Sequence, residues 1–279
     1  MATLCWMTDI HLDAADDRAR ERFFAQIEAA GADAVLITGD IADGANTGDC
    51  LLQVADRLRR PVHFVLGNHD FYGGSIRDGR QRIAELAHTH DRLVYLPAVG
   101  LVELSADWVL VGQDGWPDGR LGDIEHSTVF LPDFVTIDDL AVVRHDRRAM
   151  GRLFAELGDR AVRSAAETLA AALETYPNVV LATHVPPFRE AAWHEGGPCD
   201  DQWLPYFSSK AMGEMLVSLM QAHPHRRLLV LCGHTHGGGE VRVRGNLHVI
   251  TGEAESGKPA IQRVLEFGGP AVPAAGISW

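Results

Sequence analysis

Residues 36–48 read LITGDIADGANTG, and this stretch decides what kind of fold the chain makes. Leu36-Ile37-Thr38 is the tail of an apolar run of the kind that fills a strand buried on both faces. The run breaks at Gly39-Asp40, and Asp43-Gly44 follows three residues on. Asp and Gly are ordinary turn formers, so this carboxylate could be no more than the end of a strand. It could also be aimed at something, and the flanking sequence separates the two readings.

Upstream, residues 2–8 form another short apolar run. In ADDRARERFFAQIEAAGAD (15–33), Phe23, Phe24, Ile27 and Ala30 recur at helical spacing before Gly31 as a stop. Downstream, DCLLQVADRLRR (49–60) is a helix ended by Pro61. VHFVL (62–66) is the next strand, and SIRDGRQRIAELAHTH (75–90) is the next helix, capped by Ser75. The order strand–helix–strand–helix–strand predicts parallel strands with right-handed crossovers.

Beyond residue 100 the texture changes. LVELSADWVLVGQDGW (101–116) is predicted to be a hairpin around Ala106-Asp107. Residues 137–176 carry one or two amphipathic helices, and NVVLAT (178–183) is a strand. SKAMGEMLVSLMQAHP (209–224) is a helix and RRLLVLC (226–232) a strand. GEVRVRGNLHVITGE (239–253) is a hairpin turning at Gly245-Asn246, and AIQRVLEF (260–267) closes the sheet. Irregular cap segments are expected at about 113–135 and 184–207. With no internal repeat or linker, the simplest expectation is a single domain over residues 1–279.

Composition excludes several classes. A formal charge of −13 makes the chain a poor non-specific binder of nucleic acid or anionic membrane. It does not exclude a phosphate substrate, because bound cations reverse the local sign. Cys5, Cys50, Cys199 and Cys232 are scattered with no CxxC pair, which fits a reducing compartment better than a disulfide framework. The N-terminal run has no basic region or long apolar core, and no apolar run approaches the ~20 residues of a membrane span. The expected location is cytoplasmic.

Polar residues gather where the strands end. Asp9-Ile10-His11 follows the first strand, Gly39-Asp40-Ile41-Ala42-Asp43 the second, and Gly67-Asn68-His69-Asp70 the third. His184 follows NVVLAT, and Gly233-His234-Thr235-His236 follows RRLLVLC. All five groups lie at carboxyl ends, the edge where open α/β sheets bind ligands. Each motif alone is weak; five in succession are hard to obtain by accident. Asp, Asn and neutral His suit borderline metals such as Mn, Fe, Zn, Co or Ni. No Cys stands within these five motifs, which argues against a structural thiolate zinc site. There are more ligands than one ion requires, and two divalent ions sharing a carboxylate would use them all. Gly39, Gly67 and Gly233 each precede a candidate ligand, where the backbone must turn sharply and pass close to the ions.

The set D-x-H, G-D-x-x-D, G-N-H-D, H, G-H-x-H, from Asp9 to His236, resembles the calcineurin-like metallophosphoesterase superfamily. The resemblance implies a four-layer αββα sandwich with a dinuclear metal site at the carboxyl ends of the strands. It implies one ion held by Asp9, His11, Asp40 and His236, and a second held by Asp40, Asn68, His184 and His234, with Asp40 as the bridge. It implies that His69 contacts the phosphate and protonates the leaving group, and that Asp70 orients His69 by hydrogen bonding. Asp43 would support its motif without being a ligand. The implied reaction is hydrolysis of a phosphate ester, a small molecule or nucleotide, by attack of a metal-bridging hydroxide. A phosphoprotein phosphatase ranks below this, because Phe71 stands where that branch places an arginine after the motif. A non-catalytic scaffold ranks below it too, because the ligands and His69 are intact.

The remaining histidines, His63 among them, have no motif partner and are expected on the surface or in the core. His194, in the second irregular segment, is the least settled of these. Asp114, Trp116 and Arg120 begin a long loop after a strand, and a long loop is usually functional or disordered. Those three, with Tyr72 and His194, are the candidates for a substrate pocket. Trp193, Trp203, Tyr206 and Phe207 could line it or pack beneath the 184–207 loop, with packing favoured.

Overall fold

The computed structural model describes residues 2–268; Met1 and residues 269–279 of the expected domain lie outside the described part. Thirteen strands appear along it. The first six are β1 (Ala2–Met7), β2 (Ala34–Thr38), β3 (Val62–Val65), β4 (Leu93–Tyr95), β5 (Leu101–Ser105) and β6 (Trp108–Gly112). Then come β7 (Asn178–Ala182), the two-residue pair β8 (Trp193–His194) and β9 (Gly197–Pro198), β10 (Arg227–Cys232), β11 (Gly239–Arg244), β12 (Leu247–Thr251) and β13 (Arg263–Phe267).

They form two large sheets. The first has the order β13-β1-β2-β3-β4, with β1 to β4 parallel and β13 antiparallel on the edge. The second has the order β11-β12-β10-β7-β6-β5, parallel in its centre with an antiparallel strand at each edge. The expected hairpins are the edge pairs β5–β6 and β11–β12.

Alternation along each strand builds the layers. On one face of the first sheet, Cys5, Met7, Val35, Ile37, Val62 and Phe64 pack with Phe23, Phe24 and Ile27 of the helix Asp17–Ala30 and with Leu51 and Val54 of Thr47–Leu58. On its other face, Leu4, Trp6, Leu36 and Val65 meet Leu110, Val180, Leu229 and Leu231 of the second sheet. The far face of that sheet packs Val109, Val179 and Val230 on the helices Arg147–Thr175 and Lys210–Ala222. The result is helix, sheet, sheet, helix, the expected sandwich. By the same alternation, His63 of β3 points into the layer between the sheets; it is buried, and its Nδ1 has no hydrogen-bond partner. Burial pushes its imidazole down to about 4.

Local signals behave as their chemistry requires. Asp16 and Ser75 accept hydrogen bonds from Ala19 N and Asp78 N and cap their helices. The segment expected as one or two helices resolves into a short turn, Asp138–Ala141, and the long helix Arg147–Thr175. The two irregular segments hold only short elements, among them Asp133–Thr136, Arg189–Ala191, the β8–β9 pair and Leu204–Phe207. No helix among the described residues is long and apolar enough to cross a membrane.

Candidate metal centre

The loops leaving β1 and β2 are laced together: Asp9 N donates to Gly39 O, His11 N to Asp40 O and Leu12 N to Ile41 O. The loops leaving β7 and β10 are joined by Gly233 N donating to His184 O. Asp9 in turn accepts from His234 N at 3.0 Å, which couples the two sheets. Seven non-glycine residues in the described chain have positive φ, and five are Asp9, His11, Asp40, His234 and His236. A left-handed residue costs roughly 1–2 kcal/mol. Concentrating five of them on one edge marks a site whose geometry outweighs local backbone preference.

Close approach does the rest. A Cβ on Gly67 would lie 2.2 Å from Asp40 Oδ1, and one on Gly233 would lie 2.0 Å from Asp9 Oδ2. Only glycine lets these turns sit against the carboxylates.

Asp9, His11, Asp40 and His236 offer ligand atoms all within 4.8 Å of one another, and so do Asp40, His184 and His234. Asp40 belongs to both groups. Asn68 joins the second, with Oδ1 3.1 Å from His184 Nε2. The hydrogen-bond directions test whether a cation fits. His184 Nδ1 lies 2.9 Å from Thr38 O, and His234 Nε2 lies 2.8 Å from Tyr206 O. Carbonyls only accept, so these two nitrogens carry hydrogens, and His184 Nε2 and His234 Nδ1 face inward 3.2 Å apart. Asn68 donates its amide nitrogen to Asp133 Oδ1 at 3.0 Å, which turns its carbonyl oxygen inward. Asp40 Oδ1 stands 3.4 Å from His184 Nε2. Four acceptors converge, and a single proton on His184 Nε2 would serve only one of its three neighbours. A metal ion serves all four, so these residues are able to hold divalent metal.

Electrostatics follow from the same crowding. Burial pushes the His234 imidazole down to about 3, with His184 adding to the effect. Burial would lower His184 too, but Asp40, Asp9 and the Thr38 carbonyl outweigh it and its imidazole is raised. Desolvation would raise Asp40, yet His184, His69, His11 and His234 hold its carboxyl below the usual range.

His69 stands beside this cluster, its ring centroid 4.6 Å from that of His11. Its backbone N donates to Asp40 Oδ1 at 2.9 Å. Its Nδ1 donates to Asp43 Oδ1 at 2.8 Å, and its Nε2 lies 3.2 Å from Tyr72 Oη. Tyr72 gives its own proton to Asp133 Oδ1 at 2.5 Å. Burial lowers the His69 imidazole, but Asp40, the Asp43 hydrogen bond and Asp133 outweigh it and bring it up to about 9. His11, Asp43 and His69 are also close enough to hold an ion. The 2.8 Å contact within that trio is a hydrogen bond, and His11 already belongs to the first group.

The role expected of Asp70 needs correction. Its Oδ1 accepts from Ile41 N, Ala42 N and Thr47 Oγ1, and its Oδ2 accepts from Gly67 N. It is fully buried and fastens the second and third loops together, while the carboxylate that orients His69 is Asp43.

A cavity of about 200 Å³ opens over the cluster, lined by Asp40, Asn68, His69, His234 and His236 and walled by Tyr72, Asp133, His194, Trp203 and Phe207, among others. Tyr72 and His194 therefore reach the pocket; Asp114, Trp116 and Arg120 do not. Asp114 is buried, accepting from Leu66 N at 2.9 Å, Arg80 Nε at 2.8 Å and Tyr95 Oη at 2.7 Å, while its backbone oxygen accepts from His184 N. It braces the loops that carry Asn68 and His184. Trp116 is buried against Phe71 and pins its loop to the core. Arg120 forms a two-pronged pair with Asp159 and is drawn away. Asp133, which belongs to none of the sequence motifs, is the residue that orients both Asn68 and Tyr72.

The profile of the family described as calcineurin-like phosphoesterase matches residues 2–238. Among solved structures, a dimetal phosphatase from Danio rerio is similar at 17% identity and TM-score 0.57, over 90% of this chain and 87% of that one. A phosphopantetheinyl hydrolase from Mycobacterium tuberculosis is similar at 16% identity and TM-score 0.56, over 92% and 90%. These likenesses are of fold. No curated protein matches significantly. With the family profile spanning most of its length and the donor set in place, the chain belongs to the calcineurin-like phosphoesterase family, hydrolases of phosphoester bonds.

Proposed function

We propose that the chain is a dinuclear metal-dependent phosphoesterase acting on a small-molecule or nucleotide phosphate ester. Asp9, His11, Asp40 and His236 would hold one ion, and Asp40, Asn68, His184 and His234 the other. The observation that carries this reading is the convergence of acceptor atoms around Asp40, more of them than a single proton on His184 Nε2 could serve. When bound, two divalent ions polarise a phosphoryl oxygen and activate water near neutral pH.

The chain's own residues supply the rest. Asp133 fixes the Asn68 amide so that its oxygen, not its nitrogen, faces the ions. Asp43 holds the His69 ring by Nδ1 and favours its charged form, so that Nε2–H can turn from Tyr72 Oη to the leaving oxygen. Tyr72, its proton committed to Asp133, keeps an oxygen toward Nε2 and steadies the imidazolium between turnovers. Tyr72, Asp133, His194, Trp203 and Phe207 wall the cavity in which the reacting group would sit.

Metal content and hydrolysis of bis(p-nitrophenyl) phosphate and p-nitrophenyl phosphate test the reading together. Metal-replete protein should carry two ions per chain and release nitrophenolate, and Asp40→Asn should lose both ions and turnover. A stoichiometry below two under saturating metal would overturn the dinuclear centre.

A further inference from the structure

The cavity is chemically divided. One part is the ligand cluster with His69. The other is a wall of rings: Trp203 and Phe207 stack at 28° with centroids 5.1 Å apart, and His194 leans on Trp203 at 4.6 Å. Phe207 meets His234 edge to face at 5.1 Å, so the wall begins where the second ion's ligands end. Trp203 is half-buried, while Phe207 is buried behind it. Leu131 and Pro132 also line the cavity. His194 donates Nδ1–H to Thr235 O at 3.1 Å, which fixes its ring and leaves Nε2 for a ligand.

Among the described residues, no lysine or arginine lines the cavity. The neighbouring cavity on the other side of Asp9 and His236 is lined by Glu253, Glu255 and Lys258, and Lys258 is tied to Glu255. Extra phosphate charge is ordinarily held by an arginine fork or a lysine. Among the described residues that line this cavity, no cationic group beyond the metal cluster and His69 answers it. A phosphomonoester brings close to two negative charges at neutral pH, and a nucleoside diphosphate brings more; a diester brings one.

On the footing of the phosphoesterase reading above, we propose that the substrate is a singly charged phosphodiester carrying a planar ring, a nucleobase or an aryl group, that lies against Trp203 and His194 while the phosphoryl group meets the ligand cluster. An aromatic face accepts any flat ring, so the wall selects a ring without selecting its edge pattern. The selectivity for a diester comes from the missing cations, and the selectivity for a ring comes from the wall. The two can be tested separately.

The experiment is calorimetric binding to the full-length, metal-loaded protein of three probes: diphenyl phosphate, dibutyl phosphate and phenyl phosphate. Diphenyl phosphate should bind at least about tenfold more tightly than dibutyl phosphate, the expected scale of one stacking contact, and more tightly than phenyl phosphate. Trp203→Ala should erase the preference for diphenyl over dibutyl phosphate, and Trp203→Phe, which keeps a ring, should retain most of it. Equal binding of diphenyl and dibutyl phosphate, or tightest binding of phenyl phosphate, overturns the proposal. So does a Trp203→Ala protein that melts like wild type and keeps the preference. Binding heats and nitrophenolate release are separate readouts, so the two readings fail separately. Ring-dependent diester binding with no hydrolysis of the nitrophenyl esters would sink the enzymatic function and leave the ligand class standing. Hydrolysis without ring preference would do the reverse.

Discussion

Replacing Gly67 by alanine probes the metal centre through a single methyl group. Gly67 is not among the positive-φ residues, so alanine carries no backbone penalty there. Its Cβ, however, would lie 2.2 Å from Asp40 Oδ1, 2.6 Å from Asp40 N and 2.7 Å from His184 Cε1, where ordinary contact begins at 3.4 Å. The shared carboxylate must retreat by about 1 Å, several times the ~0.2 Å tolerance of a metal–ligand distance. Overpacking of this kind costs about 1–3 kcal/mol of stability, which a domain with roughly 5–15 kcal/mol tolerates. The folded protein should therefore survive with its metal centre damaged. Metal affinity should fall at least about tenfold, the scale of a disturbed ligand environment, and turnover about a hundredfold, the scale of an ångström misplacement. Gly245→Ala is the control, since a Cβ there meets nothing within 4 Å. Metal retained after dialysis at fixed free ion, thermal melting and nitrophenyl ester hydrolysis read the three effects. A Gly67→Ala protein with two ions at wild-type affinity and wild-type turnover would refute the argument that close backbone approach positions Asp40.

Asp43→Asn keeps the size of the side chain that holds His69 and removes its charge. Metal content should be unchanged, kcat should fall about tenfold, and the basic limb of the pH–rate profile should move to lower pH. The sign follows because the proton-donating form of His69 exists below its pKa, and Asp43 is one of the groups that raise it to about 9; an unmoved limb would remove Asp43 from that role. His63 makes a prediction about stability. Its imidazole sits at about 4 in the fold against an ordinary 6.5, so the unfolded chain binds the extra proton between those values and stability is lost as pH falls through that window. Between pH 7.5 and 5 the loss attributable to this group is about 2 kcal/mol. Urea titrations of metal-free wild type and His63→Leu should differ by that amount in their pH dependence, and parallel curves would show that His63 is protonated inside the fold.

The opening stretch shows why the sequence revealed so much. A buried strand must end in a turn, and in a parallel sheet the turns after neighbouring strands share an edge, so Asp9, Asp40, Asn68, His184 and His234 could be placed together by counting strands. Glycines before the ligands were readable for the same reason, since a turn that passes within 3 Å of a carboxylate has no room for a side chain. What was hidden lies across sequence distance. Asp133 stands 65 residues from Asn68, within a segment with no periodicity, and only folding brings its oxygen to the amide. Asp43 and Asp70 are both near His69 in the motif, and spacing alone cannot say which carboxylate the ring will meet. Asp70 is consumed by backbone N–H groups, which leaves Asp43. Asp114, Trp116 and Arg120 looked like a pocket because they follow a strand and precede a long loop. They are instead spent on Leu66, Phe71 and Asp159, contacts with no local signature.

The division of the proposed ligands between two sheets has a consequence for how the protein is made. Asp9, His11, Asp40 and Asn68 hang from the first sheet, whose parallel strands are complete by Tyr95; His184, His234 and His236 hang from the second. During synthesis the first half-site leaves the ribosome well over a hundred residues before its complement, with the inner face of its sheet uncovered. An ion captured early would find the acceptors of one sheet only, so the centre can close only after β10 has emerged and docked. Metal loading in this chain therefore reports the union of two halves, and a nascent chain arrested before residue 234 should hold neither ion in its finished coordination.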